Sequence, residues 1–464
     1  MVRVLLIVPP RTILKSSIKR CCTPIGLAYI AAVLEQNHID VKILDCYAEG
    51  YHNEVEIGNE GYIRVGLNGQ EIIDRIKEYK PNFIGVTCGF TSEIGNVASV
   101  CKYARMAQPN AKIVVGGLHP SNYPKETLES CPDVDYLIKG EGEYRMLNLI
   151  QGKNYNSPGR IEDVNKIPFP ARHLLKMDIY LKINRHISPY PKRQKTEQIL
   201  TSRGCPGTCI FCTSSNFWGH KFRARSPENV IAEMKQLINE YGVEEFQFTD
   251  DTMTLDRKRA MKIFEMMKPL NVSFCMANGV FVNSLTKEMI KSMAEAGCYQ
   301  ITFSVESGSY KSLKIMKKNV NLDRVKPLVD YSKKLGISCH ATFVLGFPGE
   351  TIKDIKQSFK YASKMDFDSA SFFIVSPLPG SELYDFCKEK NYLKDMKFEK
   401  MDFKTSKIYN PDLPPEKLQK LVNRQSTKYI IKYLFKHPIK FYRKYGDFIK
   451  KNPTKFYKVF GRVT

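Results

Sequence analysis

Short apolar runs alternate with segments of helical period from the N-terminus to about residue 377, and this rhythm limits the possible folds most. In the first 150 residues the runs are VRVLLIV (2–8), VKILD (41–45), FIGVTC (83–88), KIVVGG (112–117) and YLIKG (136–140). Helical patterns such as PIGLAYIAAVLEQN (24–37) and SEIGNVASVCKYARMA (92–107) separate them. Strands that are apolar throughout need cover on both faces, which a parallel sheet between helices provides. With right-handed crossovers, the expectation for residues 1–150 is a doubly wound, Rossmann-like α/β domain.

A second series follows: QILTSR (198–203), EEFQFTDD (244–251), VSFCMANG (272–279), YQITFSVES (299–307), SCHATFVLG (338–346) and SASFFIVSP (369–377). The helix predicted over 226–242 starts with Ser226 as N-cap and Pro227 at its first position. Six such units predict a partial (β/α)6 barrel of the TIM type over 198–390, with its site at the C-terminal ends of the strands. Residues 151–197 carry several prolines and little periodicity, and read as a linker. Residues 391–464 read as a helical, basic extension.

A chain of 464 residues exceeds what one hydrophobic core organises, in keeping with this division. The apolar run in MVRVLLIVPP is too short for a secretory signal, and no stretch reaches the roughly eighteen residues of a membrane span. A reducing cytoplasm is therefore expected, where clustered thiols point to metal or redox chemistry rather than disulfides. The net charge of +23 suggests an acidic partner, namely nucleic acid, an anionic membrane surface or a phosphorylated substrate. A general lysine bias explains it equally well.

Most of the 13 cysteines are scattered, but SRGCPGTCIFC (202–212) places Cys205, Cys209 and Cys212 in a C-x3-C-x2-C spacing. A structural zinc site closes with four ligands, and His220 is the candidate for the fourth. Three thiolates on a [4Fe–4S] cluster instead leave one iron without a protein ligand, an open position where a cosubstrate binds. Gly204 and Gly207 would let the loop wrap a bulky cluster.

This loop, directly after the first barrel strand and with Phe211 before the last cysteine, resembles the radical S-adenosylmethionine (SAM) superfamily. The resemblance implies that the amino and carboxylate groups of SAM fill the open iron. It also implies that an electron from the cluster splits a carbon–sulfur bond to give the 5′-deoxyadenosyl radical. Phe211 would then pack near the adenine. FTDD offers Asp250 and Asp251 to the SAM ammonium, a pairing of opposite charges. SVESGS would bring Ser304 and Glu306 to the ribose and methionine parts, and VLGFPGET would set Val344 and Gly346 against the adenine. Glu306 follows an apolar run and so requires a partner. Glu350 stands one residue from the commonest spacing. The plainer readings are a core phenylalanine and solvated loop acids.

PIGLAYIAAVLEQ, VVGGLHPS and LIKGEGE, ahead of such a core, resemble the cobalamin-binding radical SAM proteins, including the class B methyltransferases. The resemblance implies a corrin lying over the strand ends among Thr87, Gly89, Gly116, Gly117, His119, Gly140, Glu141 and Gly142. The D-x-H-x-x-G motif that supplies an axial histidine is absent. The implied cobalamin is therefore base-off, without a protein histidine ligand, and His119 either lines the pocket or is structural. A vestigial domain binding no cobalamin is the other reading.

The function these features imply is a cobalamin-dependent radical SAM enzyme that methylates an unactivated carbon. Ring formation, oxidation or carbon–carbon coupling on a lipid, isoprenoid or other natural product is the alternative, and a non-catalytic cobalamin-responsive binding protein is a third. The partners implied are a small-molecule or lipid substrate and an electron donor such as ferredoxin or flavodoxin. No residue is singled out as a catalytic acid or base. In the tail, Phe435, Phe441, Tyr442, Tyr445, Phe448, Phe456, Tyr457 and Phe460 lie among lysines and arginines. That suits either an anionic surface on the inner face of the membrane or rings packed on the barrel. No RNA-binding motif accompanies it, which counts against nucleic acid.

Overall fold

The computed structural model describes residues 2–58, 61–157, 159–188, 191–393, 405–439 and 442. Its N-terminal sheet has five parallel strands, ordered Asp40–Asp45, Arg3–Val8, Phe83–Thr87, Lys112–Gly116 and Tyr136–Ile138. The chain reverses direction across the sheet between Arg3–Val8 and Phe83–Thr87. At such a switch point the loops diverge and leave a crevice at the carboxyl ends of the strands. Separate apolar cores on the two faces bear out the doubly wound expectation.

The second sheet contains six parallel strands in sequence order: Thr196–Ile199, Glu245–Phe248, Ser273–Val280, Cys298–Glu306, Ser338–Leu345 and Ser369–Ile374. Parallel strands joined by helices bring all six carboxyl ends to one rim. Ser226 caps the Pro227–Tyr241 helix by accepting the Asn229 N–H at 3.1 Å, and Gly242 ends it in the left-handed conformation.

Two features escaped the sequence reading. An antiparallel sheet of Arg11–Leu14, Tyr62–Val65 and Glu54–Ile57 flanks the first domain. The segment expected as a linker is packed: Ile161, Val164, Ile167 and Ala171 enter one core, and Leu175, Met177 and Tyr180 another. Its apolar residues insert singly between larger elements, so no periodicity announces them.

The Pro415–Lys436 helix lays Leu418, Val422 and Tyr429 on the barrel core, with Tyr429 edge-on to Phe372. Phe435 and Tyr442 are exposed. Phe441, Tyr445, Phe448, Phe456, Tyr457 and Phe460 lie outside the described residues. Among the described residues no helix is long and apolar enough to cross a membrane.

Candidate functional site: a thiol loop facing a glycine-walled cavity

Beyond the first barrel strand the short strand Ser202–Arg203 pairs antiparallel with Arg223–Ala224, and the cysteine loop leaves it through Gly204, whose φ of 86° belongs to the left-handed region. A Cβ there would also run into the Lys221 carbonyl, so both backbone angle and space demand glycine. The Gly207 N–H points to Cys205 Sγ at 3.4 Å, and the Ser214 N–H to Cys212 Sγ at 3.5 Å. Ile210 fastens the loop's far side: its N–H donates to the Met316 carbonyl, and its carbonyl accepts from Leu383 N–H. Cys212 is exposed, Cys205 and Cys209 partly so. Although Cys212 presents surface to solvent, desolvation of its sulfur within the loop raises its thiol to about 11 and raises Cys205 and Cys209 as well, so a bound cation is needed to hold the three as thiolates.

Four of the remaining expected residues gather at this loop. Asp251 accepts a 2.5 Å hydrogen bond from Ser214 Oγ, two residues after Cys212. Glu306 ends the fourth strand with φ at 66°, a strained angle for a glutamate. Burial raises its carboxyl against the pull of Lys318, whose Nζ lies 3.6 Å away, and Thr342 Oγ1 lies 3.4 Å from it. Phe211 meets Phe347 edge-on at 5.5 Å in an apolar cluster that includes Val344.

Other expected residues have different surroundings. Asp250 is 2% exposed, and its carboxylate accepts from Thr201 N–H, Thr201 Oγ1 and Ser202 Oγ. It therefore braces the strand leading into the loop. Ser304 is half-buried beneath Gly279, where a Cβ would strike its hydroxyl. A Cβ at Gly346 would meet Leu418 of the C-terminal helix. Glu350 is buried and accepts the Gly346 and Phe347 N–H groups at 2.7 and 2.9 Å, which fixes the fifth-strand turn.

Lys318 was not anticipated. Its side chain is only 15% exposed, and its charge acts on all three thiols. Burial opposes that charge, but Glu306 and the thiols outweigh it and raise its pKa. Burial among acids is a tertiary property that no spacing reveals.

Opposite the loop, a cavity of about 680 Å³, counting its open mouth, lies at the carboxyl ends of the N-terminal sheet. Of the residues singled out in the sequence, Thr87, Gly116, Gly117, Gly140, Glu141 and Gly142 line it. Leu6, Ile30, Val114 and Met146 extend it into the layer between sheet and helices. Phe217 and Trp218 close it, and they belong to the helix Ser214–Trp218 that follows the third cysteine. The two sites are thus neighbours. Gly117 has φ at 114°, and a Cβ there would lie 2.6 Å from the Cys88 carbonyl.

Gly89 and His119 are absent from the lining, and so is every other histidine. His119 is 2% exposed, with Nδ1 3.2 Å from Thr91 Oγ1. Burial lowers its pKa to about 4 and keeps the ring neutral.

Glu141 reaches across the junction. Its carboxylate takes Arg203 Nη1 and Arg223 Nη1, both at 2.7 Å, and the Ile161 N–H at 2.9 Å, while Glu143 takes Arg203 Nη2 at 2.6 Å. Arg203 also stacks near Trp218, 4.9 Å from the ring centroid. These groups are almost fully buried, and charges so placed are retained only when paired.

The residues present fit the two groups the resemblance implies. A cubane takes one thiolate on each of three irons, so its ligands need not converge on one point as around a single ion. Among the described residues no three His, Cys, Asp or Glu side chains converge in that way. Small residues at the strand ends, with an apolar cleft behind them, suit a flat macrocycle.

A thiol loop on the rim of a six-stranded βα barrel, set against such a cavity, defines a radical SAM enzyme with a second cofactor domain. The chain matches the family model of the Radical SAM superfamily over residues 199–362 and that of the B12 binding domain over residues 11–150. It is 34% identical over 441 residues to the cytidylyl-2-hydroxyethylphosphonate methyltransferase of Streptomyces wedmorensis, covering 84% of this chain and 82% of that one. To an uncharacterized methyltransferase of Pyrococcus horikoshii it is 31% identical over 466 residues, covering 94% and 95%. Its fold resembles that of TsrM from Kitasatospora setae, a radical SAM methyltransferase solved with cobalamin and a [4Fe–4S] cluster bound. The TM-score is 0.64 at 17% identity, covering 86% of this chain and 80% of that one. The chain belongs to the cobalamin-dependent radical SAM methyltransferase family. A [4Fe–4S] cluster, SAM and cobalamin are the cofactors its domains imply.

Proposed function

We propose that this protein methylates an unactivated carbon of a small-molecule substrate. The contiguity of the two sites carries the reading: Phe217 and Trp218 close the glycine-walled cavity and lie six residues or fewer from Cys212. When bound, the cluster with SAM supplies a hydrogen-abstracting radical and cobalamin carries a methyl group.

In this reading Cys205, Cys209 and Cys212 hold the cluster. The methionine end of SAM is a zwitterion, and the Glu306–Lys318 pair offers one charge of each sign beside the thiols, so Lys318 faces its carboxylate and Glu306 its ammonium or ribose. Asp251 stands on the same side as a further carboxylate, and Phe211, Val344 and Gly346 bound the adenine pocket. Thr87, Gly116, Gly117, Gly140 and Gly142 would seat the corrin, and with no histidine in the cavity lining the cobalamin would be held base-off without a protein imidazole. His119 and Glu141 support that seat from behind, one by packing and the other by pairing Arg203. The apolar cleft and the two aromatic rings exclude water from the space between the sites.

Incubation of the reconstituted enzyme with methyl-labelled SAM and extracts of candidate substrates tests the reading. Label in the product, with 5′-deoxyadenosine and S-adenosylhomocysteine formed in equal amounts, is expected. A product formed without label would replace methylation by ring formation, oxidation or coupling.

A further inference from the structure

We propose that the exposed lysines of the Ile352–Met365 helix dock an acidic one-electron carrier, a reduced flavin or iron–sulfur protein. The inference rests on the radical SAM reading, because reductive cleavage of SAM needs an electron that the chain itself does not supply. At the docked face no bond is made or broken: the carrier loses one electron and the cluster gains it.

The helix is amphipathic in an unusual way. Ile355, Phe359, Ala362 and Met365 enter the barrel core, while Lys353, Lys356, Lys360 and Lys364 recur on the solvent side. All four are exposed, and none has a carboxylate at ion-pair distance among the described residues. On the adjacent Val325–Lys334 helix, by comparison, Lys326 and Lys333 are each paired with an aspartate and only Lys334 is not. Unneutralised cations in a row produce a positive field that steers and orients an acidic partner. The four lysines line a groove of about 880 Å³ with Gly308, Gln357 and Tyr361.

The position of this face gives it a purpose. The groove begins at Gly308, two residues beyond Glu306, and Gln357 Nε2 locks that turn by donating to the Gly308 carbonyl at 3.0 Å. From there the short helix Tyr310–Ile315, bearing exposed Tyr310 and Lys314, runs to Met316, whose carbonyl holds the cysteine loop at Ile210. The lysine face is thus joined by a few fixed residues to the outer side of the thiol loop. A partner seated there meets a rigid, positively charged approach to the cluster, with Tyr310 as an aromatic anchor of the kind that carries interface energy.

The test uses the reconstituted holoenzyme with two reductants, reduced flavodoxin and dithionite, and a K356E/K360E variant with K356R/K360R as control. Flavodoxin binding is also titrated directly at low and high salt. The expected result is flavodoxin affinity about tenfold weaker and less salt-dependent in the charge-reversal variant, with the Arg variant unchanged. Cleavage of SAM driven by dithionite is expected to stay at the wild-type rate. Equal flavodoxin affinity in wild type and variant would overturn the proposal, as would parallel loss with both reductants. Loss of sedimentation with anionic vesicles while flavodoxin binding is unchanged would also overturn it, in favour of a lipid surface. Should wild-type enzyme cleave no SAM with either reductant, the enzymatic reading fails instead, and the binding titration still decides the docking face.

Discussion

The two halves of the site prepare for their cofactors by opposite means. The N-terminal cavity is built from absence of side chain: glycines at the strand ends, aliphatic residues behind them, and its two buried carboxylates, Glu141 and Glu143, already spent on Arg203 and Arg223. The barrel rim is built from charge: three thiols, Asp251, Glu306 and Lys318, with burial raising the acids and thiols toward their neutral forms. A large, flat, weakly charged ring is held by shape and area, and a small zwitterion with an anionic cluster by matched charges. The barrel rim should therefore fail abruptly when one group is changed, and the cavity should weaken by degrees.

The sharpest test of this contrast is substitution of Cys205, Cys209 or Cys212 by Ala. Each is expected to abolish SAM cleavage and remove the cluster's absorbance while leaving the circular dichroism unchanged. Retained cleavage would break the ligand assignment.

Second in size is Glu141→Ala, which leaves Arg203 and Arg223 buried without their shared partner. The expected loss is about 3–5 kcal/mol of stability, read as a lower midpoint in urea. A loss under 1 kcal/mol would mean that the junction is wetter than the structure shows.

Third comes the pH response of the cavity's supporting layer. His119 is held near pKa 4 when folded and titrates near 6.5 when unfolded, so the unfolded chain takes up a proton first. Its contribution is whole above about pH 6.5 and is lost progressively as pH falls toward 4, to a total of about 3 kcal/mol. The fall should be shallower in His119→Gln, measured as unfolding midpoint against pH.

The mildest change is Gly26→Leu. Gly26 lines the cavity, and a Cβ there meets nothing within 4 Å, so the side chain fills space that a bound ring needs without straining the fold. Cobalamin affinity should fall about tenfold, roughly 1.4 kcal/mol, with iron content and dithionite-driven SAM cleavage unchanged. Unchanged affinity would place the corrin elsewhere.

Much of this was legible beforehand because it is written locally. All eleven strands of the two parallel sheets appeared as apolar runs, and the thiol loop appeared by its spacing. Asp250 and Asp251 show where legibility ends. They are adjacent in one motif just beyond the Glu245–Phe248 strand, yet one carboxylate accepts from Thr201 and Ser202 and the other from Ser214. Nothing in FTDD alone chooses between them. The antiparallel strands were missed because their alternation, as in Glu54–Ile57, is short, charged and exposed.

Local pattern suffices for the two sheets, their order of connection, and the loop able to present three sulfurs to a metal cluster, because period and spacing are properties of neighbouring residues. Packing of the folded chain is what makes Phe217 and Trp218, just after the cysteine loop, a wall of the glycine cavity. It alone decided that Lys318 is buried among thiols, and that Arg203, Arg223 and Glu141 pair across the junction. These depend on residues 60 or more positions apart meeting in a medium that no longer screens charge, and no local pattern encodes that meeting.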